Sequence, residues 1–221
     1  RDGSLDQGFQ NSVIIDKNEE FFNARVLAIH EDGKIVVGGN FDRFGQGPNG
    51  NMIVRLNSDG TIDQSFDPGS GFRKFDGSVR EIIPLPDGKV IVGGDFYLFD
   101  GTLNNGVVRL NQDGSLDSSF AQEKLSPLED EEAYVSTISL LKDGGILVGG
   151  RFSFFAGNDR NHLAVLHDHG QLSDVFAPFG PNGYVLNIVS QRDEKIIVTG
   201  DFNRFNNQPN NGIVRLFPNG E

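Results

Sequence analysis

The feature of this sequence that most limits its fold is a short phrase that recurs along the whole chain. The residues DGSLDQGF at 2–9 return as DGTIDQSF at 59–66, as DGSLDSSF at 113–120 and, less closely, as HGQLSDVF at 169–176. The copies therefore begin 54 to 57 residues apart. A unit of this size cannot cover both of its own apolar faces, so successive units must pack on one another. The chain is predicted to be a tandem array of four similar units.

A second phrase recurs in step with the first and predicts strands. It reads IVVGGNF at 35–41, VIVGGDF at 90–96, ILVGGRF at 146–152 and IIVTGDF at 196–202. β-Branched residues crowd these windows, and no window has a sustained helical period. Each unit is predicted to hold four strands, the first of which carries Leu-Asp-x-x-Phe. In the second unit the other three strands lie at about 79–85, 90–96 and 107–111, and Asp-Gly turns separate strands.

Units of this kind predict an all-β fold, a β-propeller of four four-stranded antiparallel blades. The tight turns join the second strand to the third, and the fourth strand to the first strand of the next unit. Because residues 4–9 form a first strand and 213–217 a fourth, the N-terminal strand is expected to complete the last blade. A turn stands at both ends of the chain, so a larger ring with further blades is the alternative. A single domain, 1–221, is expected, with repeats at about 1–57, 58–111, 112–167 and 168–221.

The Asp-Gly turns also predict which residues face each other across the strands. A three-residue hairpin loop with Gly in the left-handed region fixes the register of the two flanking strands. The predicted pairs are Arg55 with Asp63, Arg109 with Asp117, the jointly altered Val165 with Ser173, and, across the ring closure, Arg215 with Asp6. Opposite charges at such positions stabilise a strand pair.

The combined phrases resemble a known family. DGKIVVGGNFDRF at 32–44 and VVRLNQDGSLDSSF at 107–120, with their copies, are similar to the delta-60 repeats of bacterial proteins, a propeller domain of unknown function. The resemblance covers essentially the whole chain; it weakens at 167–171 and where Asp193-Glu194-Lys195 replaces Asp-Gly-Lys. It implies a secreted or cell-surface protein, often large and multidomain, and it supplies no catalytic residues.

Composition excludes several functions. The formal net charge is −12 and Lys and Arg form no cluster, which argues against binding of nucleic acid. No apolar run approaches 18 residues, so membrane insertion is not expected. The absence of Cys excludes disulfides, thiolate catalysis and cysteine-ligated metals. The four histidines do not recur in register, and no catalytic, metal or cofactor site is expected from them.

Three repeated features have both a structural and a chemical interpretation. Twelve of the 19 Phe occupy three repeated positions, which favours packing between blades over stacking on a ligand. The Gly-Gly pairs, such as Gly38-Gly39, favour close backbone approach or a bulge over a phosphate cradle. The series Asn57-x-Asp59-Gly60-x-x-Asp63 spaces oxygen atoms as calcium loops do, but it lacks the Gly and Glu positions of an EF-hand and is better explained as a hairpin.

Binding residues are expected on the loops, since a rigid scaffold commonly carries its function there. The long first-to-second and third-to-fourth loops emerge on one end of the blades, the loop face, and the Asp-Gly turns emerge on the other, the turn face. Candidates on the loop face are Phe21, Phe22, Arg25, Phe72, Arg73, Lys74, Phe75, Arg80, Glu129 to Glu132, Tyr134, Phe179 and Tyr184. The ligand-binding set within them is Phe22, Arg25, Arg73, Phe75, Arg80, Tyr134 and Tyr184. An ordinary solvated rim is the competing interpretation.

The sequence therefore predicts an extracellular or bacterial cell-surface module that binds a protein or glycan partner on its loop face and is not an enzyme. A propeller enzyme, such as a glycosidase or lyase with its site at the axial mouth, is one alternative, and a structural spacer in a surface protein is another. We expect a monomer or part of a larger multidomain chain, with no cofactor.

Overall fold

The computed structural model describes residues 3–9, 23–41, 52–74, 77–104, 106–121, 125–126, 132–174 and 180–220. All regular elements in these ranges are strands. Their bounds are β1 (Asn23–Ile29), β2 (Ile35–Asn40), β3 (Ile53–Leu56), β4 (Phe72–Arg73), β5 (Ser78–Pro84), β6 (Val90–Asp95), β7 (Leu98–Phe99), β8 (Thr102–Leu103), β9 (Val107–Leu110), β10 (Leu125–Ser126), β11 (Tyr134–Leu140), β12 (Ile146–Arg151), β13 (Phe154–Phe155), β14 (Asn158–Asp159), β15 (Leu163–Leu166), β16 (Tyr184–Ser190), β17 (Ile196–Asp201), β18 (Arg204–Phe205), β19 (Gln208–Pro209) and β20 (Ile213–Leu216).

Four antiparallel sheets repeat along the chain and form the blades. Blade 1 is β1-β2-β3, blade 2 is β5-β6-β9, blade 3 is β11-β12-β15 and blade 4 is β16-β17-β20. In the first three blades the predicted outermost strand is a single bridge, which joins Leu56 to Ile62, Leu110 to Leu116 and Leu166 to Leu172. The prediction of an all-β fold built from repeated antiparallel blades is confirmed.

The predicted cross-strand pairs are present in blades 1 to 3. The amide of Asp63 donates to the carbonyl of Arg55, and the amide of Ser173 donates to that of Val165. Arg55 Nε lies 2.7 Å from Asp63 Oδ2, and its Nη1 donates to the carbonyl of Gln112 in blade 2 at 2.6 Å. Arg109 repeats both contacts one blade later, with Asp117 and the carbonyl of Asp168. These arginines therefore connect neighbouring blades as well as neighbouring strands.

Apolar side chains fill the spaces between successive blades. The recurring Phe residues that the structure describes are buried, with the exception of Phe9; they are Phe41, Phe66, Phe96, Phe99, Phe120, Phe152, Phe155, Phe202 and Phe205. Phe72 joins them and packs against Phe96 with the ring centroids 4.3 Å apart. The packing interpretation of the repeated Phe positions is confirmed, and the candidate Phe72 is corrected from a ligand contact to a core residue.

The first glycine of each Gly-Gly pair lies in close contact with side chains of the next blade. A Cβ added to Gly93 would lie 2.8 Å from Val135 Cγ1 and 2.7 Å from Ile138 Cδ1, both on blade 3. Gly38 meets Val79 and Ile82 in the same way, and Gly149 meets Val185 and Ile188. We call the side of a blade that carries this glycine its trailing face and the side that carries the Val and Ile its leading face. The close approach predicted for the Gly-Gly pairs is confirmed.

Three small sheets stand at the loop face. β4-β7-β8 and β10-β13-β14 each combine a segment of the long loop that precedes a blade with the hairpin that follows its second long strand. β18-β19 repeats the hairpin in blade 4, where Phe205 bridges to Pro181. The loops are thereby tied to the blades at the end where binding residues are predicted.

The N-terminal segment differs from its later copies. Residues 3–9 form a turn, Leu5 is 83% exposed, and no bridge joins this segment to β20 among the described residues. Each inner strand packs on the next, β1 on β5, β5 on β11 and β11 on β16, but β1 has no comparable packing on blade 4. The expected completion of the last blade, with Arg215 opposite Asp6, is not formed in this part of the chain.

Candidate functional site

Each inner strand has a β-bulge near the loop face. The register shifts occur between Ala24 and Val26, Val79 and Glu81, Val135 and Thr137, and Val185 and Asn187. The extra residue is Arg25, Arg80, Ser136 or Leu186 in turn. The second glycine of each pair faces the bulge, because a Cβ at Gly39 would overlap the carbonyl oxygen of Asn23. A bulge turns a side chain out of the regular alternation of the strand. In this protein one residue per blade is displaced in this way near the loop face.

Arg80 is the central side chain of the candidate site. Its guanidinium lies over the ring of Tyr134 in blade 3, 4.2 Å from the ring centroid, and its Nη2 is 3.8 Å from Asp95 Oδ2. Its side chain is 21% exposed, and its Nε is buried with no hydrogen-bond partner among the described residues. Burial and the nearby charge of Arg25 lower the pKa of Arg80. Arg80 thus has a donor to offer and a positive charge that its surroundings do not fully balance.

Lys74 joins the same cluster from the long loop. Its Nζ donates to Asp95 at 2.5 Å and to Glu132 of the next long loop at 2.9 Å, and it lies 4.7 Å from the ring centroid of Tyr97. Burial alone would lower the pKa of Lys74, but the hydrogen bonds to Asp95 and Glu132 raise it. These contacts fix the loop that carries Lys74 beside Arg80, so the two cations occupy set positions at the boundary of blades 2 and 3.

The boundary of blades 3 and 4 has a related arrangement. The Arg151 guanidinium lies over the ring of Tyr184, 4.7 Å from the centroid, and the His162 ring meets the same tyrosine edge-on at 5.4 Å. Tyr134 and Tyr184 hold equivalent places, at the start of the inner strands of blades 3 and 4. Arginine stacked on tyrosine across a blade boundary therefore occurs twice on the loop face.

The turn face carries clefts between neighbouring blades. One of about 510 Å³ between blades 1 and 2 is lined by Lys34, Arg55 and Lys89 among others. Another of about 350 Å³ between blades 2 and 3 is mainly apolar, with Leu85 and Leu140 in its wall. These three cations are already paired, because Lys34 and Arg55 contact Asp63 and Lys89 contacts Asp117. The loop face differs in holding a buried arginine donor that no described residue accepts.

The structure brings together some of the predicted site residues. Arg80 and Tyr134 meet at the boundary of blades 2 and 3, Arg25 of blade 1 is near enough for its charge to act on Arg80, and Tyr184 lies at the next boundary. Arg73 is exposed on β4, where it pairs with Leu98 of β7 in the adjoining small sheet. The candidates Phe21, Phe22, Phe75, Phe179 and Glu129 to 131 lie outside the described residues.

Sequence reasoning missed several members of the cluster. Asp95 is not among the site residues predicted from the sequence, yet its carboxylate binds Lys74 and faces Arg80. Tyr97, Arg151 and His162 had no recurring pattern that could single them out. Their roles depend on the neighbouring blade, which local spacing does not describe. Arg151 stands at the Asp95 position of its own unit, and that replacement of an acid by a base was the available signal.

Within the ranges that the structure places, no three His, Asp or Glu side chains come together as a metal site would require. No helix in the same ranges has the length and apolarity needed to cross a bilayer.

Comparisons with known proteins bear on the fold. A family model described as "Domain of unknown function (DUF5122) beta-propeller" matches residues 30–66, 85–120, 141–166 and 191–221, which is more than half of the chain. The crystal structure of the extracellular domain of BT4673 from B. thetaiotaomicron, assigned to the one component systems, is similar with a TM-score of 0.51 and 15% identity. That likeness covers 87% of this chain and 21% of the other, so it shows the fold alone. A search of curated proteins gave no match.

Proposed function

This chain belongs to the DUF5122 β-propeller family, and we propose that it is a non-catalytic binding module of an extracellular protein. In this proposal the loop face binds a protein or glycan partner at the boundary of blades 2 and 3. Arg80 makes the central contact, through an anionic group such as a carboxylate of the partner. The stacked Tyr134 and the neighbouring Tyr97 offer ring surfaces to the partner beside that group.

The observation that carries the proposal is the unused hydrogen-bonding capacity of Arg80. Arg80 Nε has no acceptor among the described residues, and a ligand that reaches the exposed part of the same guanidinium gains a charge-assisted hydrogen bond. The guanidinium is held over the ring of Tyr134, which reduces the entropy lost when a ligand binds. Arginine also presents its donors in a planar fork that matches a carboxylate.

The surroundings of Arg80 favour an anion over a cation. Arg25 adds positive charge beside Arg80, and Lys74 binds the Asp95 carboxylate that would otherwise balance Arg80. The chain as a whole has a formal net charge of −12, so this positive region stands out from an acidic surface. A local charge of opposite sign steers an anionic partner toward this part of the loop face.

The test combines a glycan array with a pull-down from the native cell surface, each with the wild-type chain and the Arg80→Ala variant. Loss of a charged hydrogen bond of roughly 1.5 to 3 kcal/mol predicts binding that is about 10 to 100 times weaker. Tyr134→Ala should weaken binding as well, since it removes the surface on which Arg80 rests. Arg192→Ala, which changes an exposed arginine of the turn face, is the matched control and should bind normally. Equal binding by Arg80→Ala and wild type would disprove the assignment.

A further inference from the structure

The tyrosines of this chain are placed differently from its phenylalanines. The chain has three Tyr, and each ring has a cation over it on the loop face. The pairs are Lys74 with Tyr97 at 4.7 Å, Arg80 with Tyr134 at 4.2 Å and Arg151 with Tyr184 at 4.7 Å. Arg55 and Arg109 lie over phenylalanine instead, but the rings of Phe66 and Phe120 are buried in the core. The tyrosines therefore mark a surface of cations and rings rather than the packing between blades.

The two arginine stacks are built from different strand positions. Arg80 is the bulged residue of β5, whereas Arg151 is the last residue of β12. Blade 3 has Ser136 at the bulge, and blade 2 has Asp95 at the position of Arg151. A unit copied without change would keep its arginine at one of these places. The stack recurs although its arginine comes from another strand, so repetition of the unit does not account for it.

The two stacks form one continuous row. Tyr134 and Arg151 are direct partners across β11 and β12, so their Cα atoms lie about 4.5 to 5.5 Å apart. Arg80 reaches Tyr134 from blade 2, and Arg151 reaches Tyr184 on blade 4. We call Arg80, Tyr134, Arg151 and Tyr184 the Arg–Tyr row. All four residues are half-buried, so packing holds them in place while part of each remains accessible.

The charges at the two ends of the row differ. The charge of Arg25 acts on Arg80 at the first end. At the other end the exposed Asp201 is the partner of Tyr184 across β16 and β17. A carboxylate there repels an anion that would extend past Tyr184. The row therefore offers two guanidinium groups, each with a tyrosine ring beside it, to an anionic ligand.

We propose that the Arg–Tyr row binds an acidic polysaccharide in which a uronic acid alternates with a neutral sugar. The carboxylate of each uronic acid accepts hydrogen bonds from one arginine, whose planar fork matches it. Each neutral sugar packs its C–H face on a tyrosine ring. The order of charge and ring in the row matches the order of charged and neutral sugars in such a chain. This inference rests on the proposed binding function of Arg80 and names the class of its ligand.

An acidic peptide fits the row less well than a polysaccharide. An extended peptide commonly binds by pairing its backbone with a free strand edge. The row runs from blade to blade and meets β11 and β16 only at their first residues, Tyr134 and Tyr184. A peptide that followed the row would therefore cross the strands and gain no backbone pairing. A sugar chain needs no such pairing.

Hyaluronan oligosaccharides provide the test, because glucuronic acid alternates in them with the neutral N-acetylglucosamine. The tetrasaccharide carries two carboxylates and the disaccharide carries one. In calorimetric titrations the wild-type chain should bind the tetrasaccharide about 10 to 100 times more tightly than the disaccharide, since it engages both arginines. The methyl ester of the tetrasaccharide, which lacks both charges, should lose this gain.

Arg151→Asn is the decisive variant. Asn40 holds the same position in blade 1, so the fold accommodates Asn there, and an unchanged circular dichroism spectrum checks this. The variant should bind the tetrasaccharide about as weakly as the disaccharide, while binding of the disaccharide at Arg80 persists. Arg192→Ala on the turn face is the matched control and should keep the full gain.

Three results would overturn the inference: no binding of either oligosaccharide, equal affinities of the wild type for both, or a gain that survives Arg151→Asn. Polyglutamate that binds more tightly than the tetrasaccharide and is weakened by Arg151→Asn would also overturn it, because the ligand would then be an acidic peptide. The proposed function is judged separately, by the pull-down with Arg80→Ala. If that variant loses its partner while the oligosaccharides fail, the binding module stands and only the polysaccharide is rejected.

Discussion

The contact between Gly93 and blade 3 supports a quantitative prediction about side-chain size at the blade boundaries. Gly93→Ala places a Cβ 2.8 Å from Val135 Cγ1 and 2.7 Å from Ile138 Cδ1, and both of these side chains are buried. Overpacking of this kind costs about 1 to 3 kcal/mol. The lower entropy of the unfolded chain offsets about 0.4 to 1 kcal/mol of that cost. The expected net loss in the free energy of unfolding is about 1 to 2 kcal/mol.

The compensating change is Val135→Ala, which removes the side chain that the new Cβ at position 93 would overlap. Alone it removes two buried methyl groups, at about 0.8 kcal/mol each, and leaves a cavity. In the double variant the new Cβ at 93 occupies space that the valine vacated. The costs of the two single variants should therefore add up to at least about 1 kcal/mol more than the cost of the double variant. A coupling energy of this size is within the range observed for contacting residues.

Urea unfolding followed by circular dichroism measures these quantities from the transition midpoints and a shared m value. Gly145→Ala is the matched control, because Gly145 lacks a positive φ and its Cβ would be no closer than 3.1 Å to its neighbours. It should change stability by less than about 0.5 kcal/mol. Costs that add within about 0.5 kcal/mol for Gly93→Ala and Val135→Ala would refute the size coupling.

Two further predictions concern ionisable groups. Burial would raise the pKa of Asp117, but Lys89, Ser119 and Arg109 hold it well below its usual range, so the carboxylate stabilises the fold above about pH 4 and this contribution is lost as the pH falls further. Asp117→Asn should cost about 2 kcal/mol at pH 7. The gap between its urea midpoint and that of the wild type should narrow as the pH falls from about 4 to 3 without closing, because Asp117 in the folded protein is still ionised there; a gap that is constant with pH would contradict this. Burial raises the pKa of Glu81. The protonated side chain therefore stabilises the fold at acid pH, and this contribution to stability is lost as the pH rises above about 4. Glu81→Gln should gain stability relative to wild type between pH 4 and pH 8, and a parallel pH profile of the two urea midpoints would argue against it.

The parts of the fold that could be predicted depend on contacts close in sequence. The pairing of Arg55 with Asp63 followed from the length of one hairpin loop and the left-handed glycine at 60, and the structure has it. The buried Phe positions followed from their repetition. In both cases a short stretch of chain determines the contact, and similar stretches recur in several repeats.

The parts that could not be predicted depend on how one blade is placed against the next. Nothing in the spacing of Arg80 and Tyr134 indicates that the two side chains stack, because they lie on different blades. The same holds for Lys74 and Glu132, which meet from two separate loops. The pairing expected at Leu5 was an inference from repetition alone, and among the described residues Leu5 is exposed and not paired with β20.

The bulge in each inner strand has a consequence for how such a domain can diversify. The bulged residue lies outside the regular strand pairing, so its identity is not constrained by a partner on the adjacent strand. The four units already hold Arg25, Arg80, Ser136 and Leu186 there while keeping the same shift in register. A lineage can therefore exchange one chemical group per unit at this rim and acquire a new specificity without rebuilding the scaffold beneath it.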